Sequence, residues 1–134
     1  MIRLKLVIAS LGLLLLIGCS DPTKGIVSGT ITVDGQLAET GAISFIPLDG
    51  RSTTSGGVIK DGKYTVEASV AKVRVEIRVP KVVGEKKIYD TPDSPVQKLM
   101  DESLPAKFND ESELTYDIPS GKSTKDFSLS TSNK

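Results

Sequence analysis

Histidine and tryptophan are absent from this 134-residue chain, and cysteine occurs once, at position 19. Without histidine, the chain cannot build a Ser-His-Asp or Cys-His catalytic set, or an imidazole metal site. A single cysteine leaves no partner for a disulfide within these residues, even in an oxidising compartment. Aromatic residues are also scarce, with three tyrosines and three phenylalanines. These absences remove much of the side-chain chemistry on which enzymes and metal proteins depend.

Charges of the two signs balance, with 17 basic and 17 acidic side chains, and no polybasic block is present. A surface that binds nucleic acid, or that binds a membrane through charge alone, normally needs a basic cluster. We therefore expect no nucleic-acid partner. The length suffices for one domain with its own core but not for two.

The first 18 residues have the pattern of an export signal. Arg3 and Lys5 precede an uncharged apolar run over residues 6–17. This run is too short to span a bilayer, which takes about 20 residues, and it fits the charged head and apolar centre of a signal peptide. The small Gly18 then precedes Cys19, and we predict cleavage between them. The alternatives are an ordinary secretory signal with an incidental cysteine, and a short anchor that is not cut.

The string Leu16-Ile17-Gly18-Cys19 resembles the lipobox of bacterial lipoproteins. The resemblance implies that Cys19 carries a diacylglyceryl thioether, and that the amino group freed by cleavage takes a further acyl chain such as palmitate. One acyl chain holds a protein to a membrane only marginally, whereas two or three hold it durably. The expected location is therefore the cell envelope, with the exported protein anchored to a membrane by its lipid.

Four segments follow from this interpretation. They are a signal peptide over residues 1–18, a tether over 19–24, a β-sandwich domain over 25–130 and a polar tail over 131–134. Loss of Arg3 and Lys5 with the signal leaves 15 basic and 17 acidic side chains. Because the tether is short, we expect the domain to lie close to the bilayer.

Apolar and polar residues alternate through most of the domain, which is the pattern of half-buried strands. The clearest case is residues 71–79, where Val73, Val75 and Ile77 alternate with charged side chains. Asp-Gly pairs at 34–35, 49–50 and 61–62 are typical of tight turns. About seven short strands and essentially no amphipathic helix predict an all-β fold, a seven-stranded antiparallel β-sandwich.

Residues 80–109 differ in composition and residue pattern from the rest of the domain. They contain four prolines and many charged residues, and they show no strand pattern. We predict a long loop there, with a short helix that Ser94 would cap. Long loops on a rigid scaffold often carry function. The candidate interaction residues in this loop are Tyr89, Asp90, Leu104, Pro105, Lys107 and Phe108.

Two stretches, residues 29–37 (GTITVDGQL) and 41–47 (GAISFIP), resemble the opening strands of carboxypeptidase regulatory-like domains. Residues 56–64 (GGVIKDGKY) and 71–77 (AKVRVEI) are similar to the strands that follow in that family. The chain departs from the family pattern where a proline is common after the first turn and where "P-G-x-Y" usually precedes the later strand. The resemblance implies a transthyretin-like sandwich. This domain type accompanies carboxypeptidases and is not itself the peptidase.

The later segments are similar to a narrower group, the small lipoproteins of planctomycete-type bacteria. The similarity lies in residues 104–109 (LPAKFN), 114–116 (LTY) and 126–129 (DFSL). Together with the lipobox, the order and spacing of these pieces imply a small exported lipoprotein that carries one regulatory-like domain.

Two further segments have features of ligand sites. Residues 121–124 (GKST) resemble the end of a phosphate-binding loop, but position 116 holds Tyr116 where that motif needs glycine, so we predict a turn. The acidic residues 109–113 offer oxygen ligands for calcium, although a solvated acidic loop is the favoured interpretation. We predict no metal site, no catalytic residue and no cofactor beyond the covalent lipid on Cys19.

The sequence thus predicts a non-catalytic, lipid-anchored module that contacts an envelope protein or a cell-wall polymer. The sheet edges and the loop at residues 80–109 are the expected contact surfaces. The alternative is a carrier of a small ligand or carbohydrate at the cell surface, which the scarcity of aromatic residues disfavours. A hydrolase is the least favoured class, because histidine, a set of metal ligands and a nucleophile motif are all missing from the sequence.

Overall fold

The computed structural model describes Gly18, Cys19 and residues 21–132. Within these residues the chain forms eleven strands, one 3₁₀ helix and no α-helix. The strands are β1 (Lys24–Val33), β2 (Gln36–Leu37), β3 (Thr40–Pro47), β4 (Ser55–Lys60), β5 (Lys63–Ser69), β6 (Lys72–Arg78), β7 (Pro80–Lys87), β8 (Val96–Glu102), β9 (Thr115–Asp117), β10 (Gly121–Thr124) and β11 (Phe127–Leu129). The 3₁₀ helix spans Ala106–Phe108. The predicted all-β class is confirmed.

The long strand β1 takes part in two sets of strand pairs. Its first seven residues pair antiparallel with β5, and four of them also pair with β10. Its last three residues pair with β11, and the final two also pair with β2. The ladders that join β1 to β10 and to β11 are parallel, so the sheet is not purely antiparallel as predicted.

The main sheet curls around a single core. Its strand order is β10-β1-β5-β4-β3-β6-β9, and β4 pairs with β5 only at Lys60 and Lys63, beside their shared turn. Beyond that turn β4 and β5 form no further ladder pairs, although Gly57 of β4 still lies beside Val66 of β5. Side chains from β1, β3, β4 and β6 fill the core; the fully buried ones are Val27, Ile31, Ile43, Phe45, Ile59, Val73, Val75 and Ile77. The result is a sandwich-like all-β domain.

The predicted Asp-Gly hairpins are confirmed at two positions. Asp34 and Gly35 have φ of 51° and 83°, and Asp61 and Gly62 have φ of 52° and 75°. Two successive residues with positive φ give the turn whose twist matches the flanking strands. Asp and Gly tolerate that conformation better than other residues do.

All seven strands predicted from alternation are present, and the structure adds β2, β7, β8 and β10. The prediction of a loop with a helix after Ser94 was wrong, because β7 and β8 form an antiparallel hairpin there. Its prolines lie at strand ends and in the connection, where the missing N–H breaks no ladder. The turn predicted at residues 121–124 was also wrong. Gly121 bends the chain with φ of 78°, but the segment is strand β10.

Candidate interaction surface

Strands β7 and β8 and their connection, residues 80–102, form an arm that belongs to its own two-stranded sheet. Eleven large apolar side chains are exposed in the described part of the chain, and seven of them lie on this arm. These seven are Val82, Val83, Ile88, Tyr89, Val96, Leu99 and Met100. Exposed apolar patches of this kind are typical of interaction sites.

The base of the arm is fixed to the domain by hydrogen bonds. The Glu102 carboxylate accepts the backbone N–H groups of Val79 and Leu104 through Oε1, at 3.0 and 2.9 Å. The backbone N–H of Ser103 donates to the carbonyl of Val79 at 3.1 Å. These bonds hold both strands where they leave the domain. The arm beyond them is exposed along almost its whole length.

Two open grooves flank the base of the arm. The first has a volume of about 400 Å³ and lies between the arm and β2, with Leu37, Val82 and Met100 among its lining residues. The second, of about 450 Å³, lies between the arm and the start of β3, where Met100 faces Gly41 and Arg78. Val82 and Met100 of the arm therefore lie beside the body of the domain.

The six residues that the sequence singled out separate into two groups. Tyr89 and Asp90 are exposed in the connection at the tip of the arm. The other four follow the arm and pack onto the domain: Leu104 is buried, Phe108 lies against the core, Lys107 Nζ is 5.2 Å from the Phe108 ring, and the Pro105 carbonyl accepts the N–H of Phe108. The sequence missed the apolar residues of β7 and β8. Adjacent apolar pairs, Val82-Val83 and Leu99-Met100, were the available signal.

The acidic segment at residues 109–113 follows the arm and is bonded to β6. Asn109 and Ser112 are buried, and the Ser112 hydroxyl donates to the carbonyl of Val75. The Asp110 carboxylate accepts a hydrogen bond from the Arg78 guanidinium, which raises the pKa of Arg78 further above its ordinary value. In the described part of the chain, no three or more acidic, cysteine or histidine side chains are grouped to hold a metal ion.

The tether and the arm leave the domain at opposite ends. Lys24 begins β1 beside Ser69, and Val70 donates its N–H to the carbonyl of Thr23. Strand β6 starts at this same end and runs to Arg78, directly before the arm. Val33, at the opposite end of β1 from Lys24, lines the groove beside the arm. Strand β1 has ten residues, so the tether and the base of the arm lie roughly 30 Å apart.

Gly18 and Cys19 are exposed at the tether end. Residues 1–17 of the predicted signal peptide, like Ser20, lie outside the described residues. Among the residues that the structure describes, no helix is long and apolar enough to cross a membrane.

Comparison of the chain with models of protein families, with curated proteins and with solved structures finds no match. The arm and the tether must therefore be interpreted from their own chemistry.

Proposed function

We propose that this protein is an exported, lipid-anchored, non-catalytic contact module of the cell envelope, and that the arm is its contact element. The observation that carries the proposal is the concentration of exposed apolar side chains on the arm, at the end of the domain opposite Cys19. A lipid on Cys19 would hold the tether end at the membrane and direct the arm away from it. The arm could then reach a neighbouring envelope protein or a cell-wall polymer.

The energetics of the arm support a contact role. A two-stranded hairpin alone in water is marginally stable, and three or more strands or a packing partner are needed for independent stability. Completing the burial of a half-exposed valine, leucine or methionine is worth on the order of 1 kcal/mol. The five valine, leucine and methionine side chains of the arm lie on both faces of its strands, so a partner that covers one face gains a few kcal/mol, less the cost of association.

Support for the lipid anchor comes from the residues around Cys19. The cysteine follows the small Gly18 at the end of an apolar run, and both residues are exposed and accessible to modifying enzymes. We expect the mature protein to begin at Cys19 with two or three acyl chains attached, which intact-mass analysis would detect. Cys19→Ser should release the protein from the membrane fraction. An unmodified Cys19 in membrane-bound protein would contradict this step.

We further propose that the domain is a transthyretin-like sandwich of the carboxypeptidase regulatory-like type, with the arm as an insertion between β6 and β9. Its support is the set of seven predicted strands, the single ladder pair that joins β4 to β5, and the one core that the strands enclose. An experimental structure in which these strands form two facing layers would support it. A closed barrel with no facing layers would contradict it.

The contact role can be tested by lysine crosslinking in intact cells, followed by mass spectrometry. The arm carries its own reporters, since Lys81, Lys86, Lys87 and Lys98 all lie on β7 or β8. We expect crosslinks to one dominant partner to map to these lysines and to weaken in the Cys19→Ser variant. Crosslinks confined to lysines of the body would contradict the arm as contact element.

A second candidate is a carrier of a small ligand, favoured by the two grooves at the base of the arm, whose volumes of about 400 and 450 Å³ match small-molecule sites. The aromatic rings do not support a carbohydrate platform. Phe45, Tyr64 and Phe127 pack in the core, and Tyr89 is the one exposed ring among the described residues. Native mass spectrometry of the purified protein would support a carrier if it retained a small molecule that Met100→Trp displaces.

A further inference from the structure

The two edges of the arm differ in their protection against further strand pairing. Strand β7 begins with Pro80, has a bulge at Val83 and carries three lysines. Prolines, bulges and lysines are the usual features that prevent an edge from adding another strand. Strand β8 has no proline, no glycine and one lysine over its seven residues. In the described residues β8 pairs only with β7, so its outer edge is available.

The charges of β8 select one way in which this edge can pair with itself. Two identical strands joined by a two-fold axis normal to the sheet run antiparallel, and residues that face each other must share a face of the sheet. The axis therefore passes beside a single residue that faces its own copy. An axis at Lys98 or Asp101 places like charges opposite each other, which is unfavourable.

Leu99 and Met100, at the centre of β8, remain as positions for the axis. An axis at Leu99 places no opposite charges together. An axis at Met100 places Met100 opposite Met100 and brings Lys98 opposite Glu102 twice, once on each side of the axis. These residues share one face of the arm, because alternate residues of a strand do. The Met100 register is thus the one that the charges of β8 favour.

Of the two charged groups needed for this pairing, Lys98 is exposed and Glu102 is half-buried at the base of the arm. Lys98 forms no ion pair within the described part of the chain, although Glu85 lies opposite it in the ladder with β7. Glu102 uses Oε1 to accept two backbone N–H groups at the base of the arm. Its Oε2 accepts no hydrogen bond from the described residues, so it remains available to a lysine of a second copy.

We propose that two copies of this chain associate through antiparallel pairing of β8 with β8, centred on Met100, so that the two arms form one four-stranded sheet. The inference goes beyond the proposed function, because it requires neither the lipid nor an envelope partner. It supplies the additional strands that an isolated hairpin lacks. The combined sheet also carries Val82, Val96 and Met100 of both copies on one continuous face, since Val82 pairs with Met100 across the arm.

Disulfide trapping tests the register directly, because Cys19 is the only native thiol. The full chain with Cys19→Ser would be purified in detergent with a new cysteine at one of three arm positions: Met100→Cys, Leu99→Cys or Lys86→Cys. Residues directly opposite in an antiparallel pair have Cβ atoms about 4.5–5.5 Å apart, close enough for a disulfide after a small adjustment. We expect Met100→Cys to form the covalent dimer at least about tenfold faster than either control, each strand pair being locked in one register.

The controls distinguish the other outcomes. Fastest crosslinking at Leu99→Cys would overturn the Met100 register. Equal rates at all three positions would indicate random collision or association through the N-terminal segment, and would overturn β8 pairing. No dimer at any position would do the same. Thermal unfolding of each variant checks that the cysteine has not disturbed the fold, since Met100 and Leu99 are both about half exposed.

A charge reversal provides an independent test by sedimentation of the noncovalent dimer. In Lys98→Glu, two attractive cross-strand pairs become repulsive, and we expect the dimer dissociation constant to rise roughly tenfold or more. Lys86→Glu makes the same change of charge on β7 and should leave the constant unchanged. An equal effect of both variants would attribute association to net charge and overturn the proposed pairing.

Discussion

Gly29, in the middle of β1, is the position where the structure predicts the largest effect of adding one methyl group. A Cβ at Gly29 would lie 1.8 Å from the carbonyl oxygen of Lys125 and 3.0 Å from a ring carbon of Tyr64. No real Cβ approaches a backbone oxygen so closely, and a backbone atom cannot rotate away as a side chain can. Gly29→Ala must therefore push apart β1 and the link between β10 and β11.

The hydrogen bonds between β1 and the link from β10 to β11 give the size of the expected loss in folding free energy. Lys125 donates its N–H to the carbonyl of Ser28 at 2.9 Å, and Thr30 donates its N–H to Asp126 Oδ1 at 2.8 Å. The Tyr64 hydroxyl donates to the carbonyl of Lys125. Loss of three bonds at about 1 kcal/mol each, reduced slightly by the lower entropy of an unfolded alanine chain, predicts a loss of about 2–3 kcal/mol. That is a large part of the stability of a small domain.

Urea unfolding followed by circular dichroism measures the effect, with Gly84→Ala as the matched control. A Cβ at Gly84 would meet only Leu99 Cδ1, at 3.8 Å, which is ordinary contact. We expect Gly84→Ala to change the free energy of unfolding by less than about 0.5 kcal/mol. A loss below about 1 kcal/mol in Gly29→Ala, or equal losses in both variants, would refute the close crossing at β1.

Three further predictions concern single side chains. Leu104→Ala should cost about 2–4 kcal/mol of folding free energy in urea unfolding, because Leu104 is buried in the core. Tyr89→Ala, at the exposed tip of the arm, should cost almost nothing. A larger loss in Tyr89→Ala than in Leu104→Ala would contradict the division of the predicted interaction residues into an exposed and a packed group. Tyr64→Phe should cost about 1–2 kcal/mol, because it leaves a carbonyl without its hydroxyl donor; unchanged stability would contradict that bond. Hydrogen bonds from Thr131 lower the pKa of Asp34 below its ordinary 3.8, so the stability they add is present above that pH and is lost as the pH falls through the lowered pKa. The melting temperature of Asp34→Asn should therefore fall less than that of the wild type between about pH 5 and pH 2.5, and equal losses would contradict the assigned shift.

Strand prediction from the sequence succeeded where one face of a strand is buried in the core. Alternation at Val73, Val75 and Ile77 marks β6 because the domain buries one side of that strand and solvates the other. The turns at Asp34 and Asp61 were equally clear, since both need residues that accept positive φ. Both signals are local, and a single sequence displays them directly.

The missed strands lack that local signal. Strand β10 (Gly121–Thr124) is polar and exists because it pairs with β1, a contact remote in sequence. The arm has no buried face to enforce alternation, and the bulge at Val83 shifts its register. The prediction of a loop with a short helix at residues 80–109 was therefore wrong, and the functional role of this segment stays a prediction. The prediction also grouped the exposed Tyr89 with the buried Leu104, because burial depends on how the chain returns from the arm.

Thiol labelling in intact cells tests the central claim, that the arm is covered by a partner in the envelope. Val83→Cys on the arm and Val58→Cys on β4 make the same substitution at exposed positions, 53% and 76% accessible in the isolated chain. Labelling with a small maleimide would be compared between cells and purified protein, with the parent chain reporting any free thiol at Cys19. The account predicts that both cysteines react when purified, and that in cells Val83→Cys is protected while Val58→Cys still reacts. Equal reaction of the two cysteines in cells would contradict it.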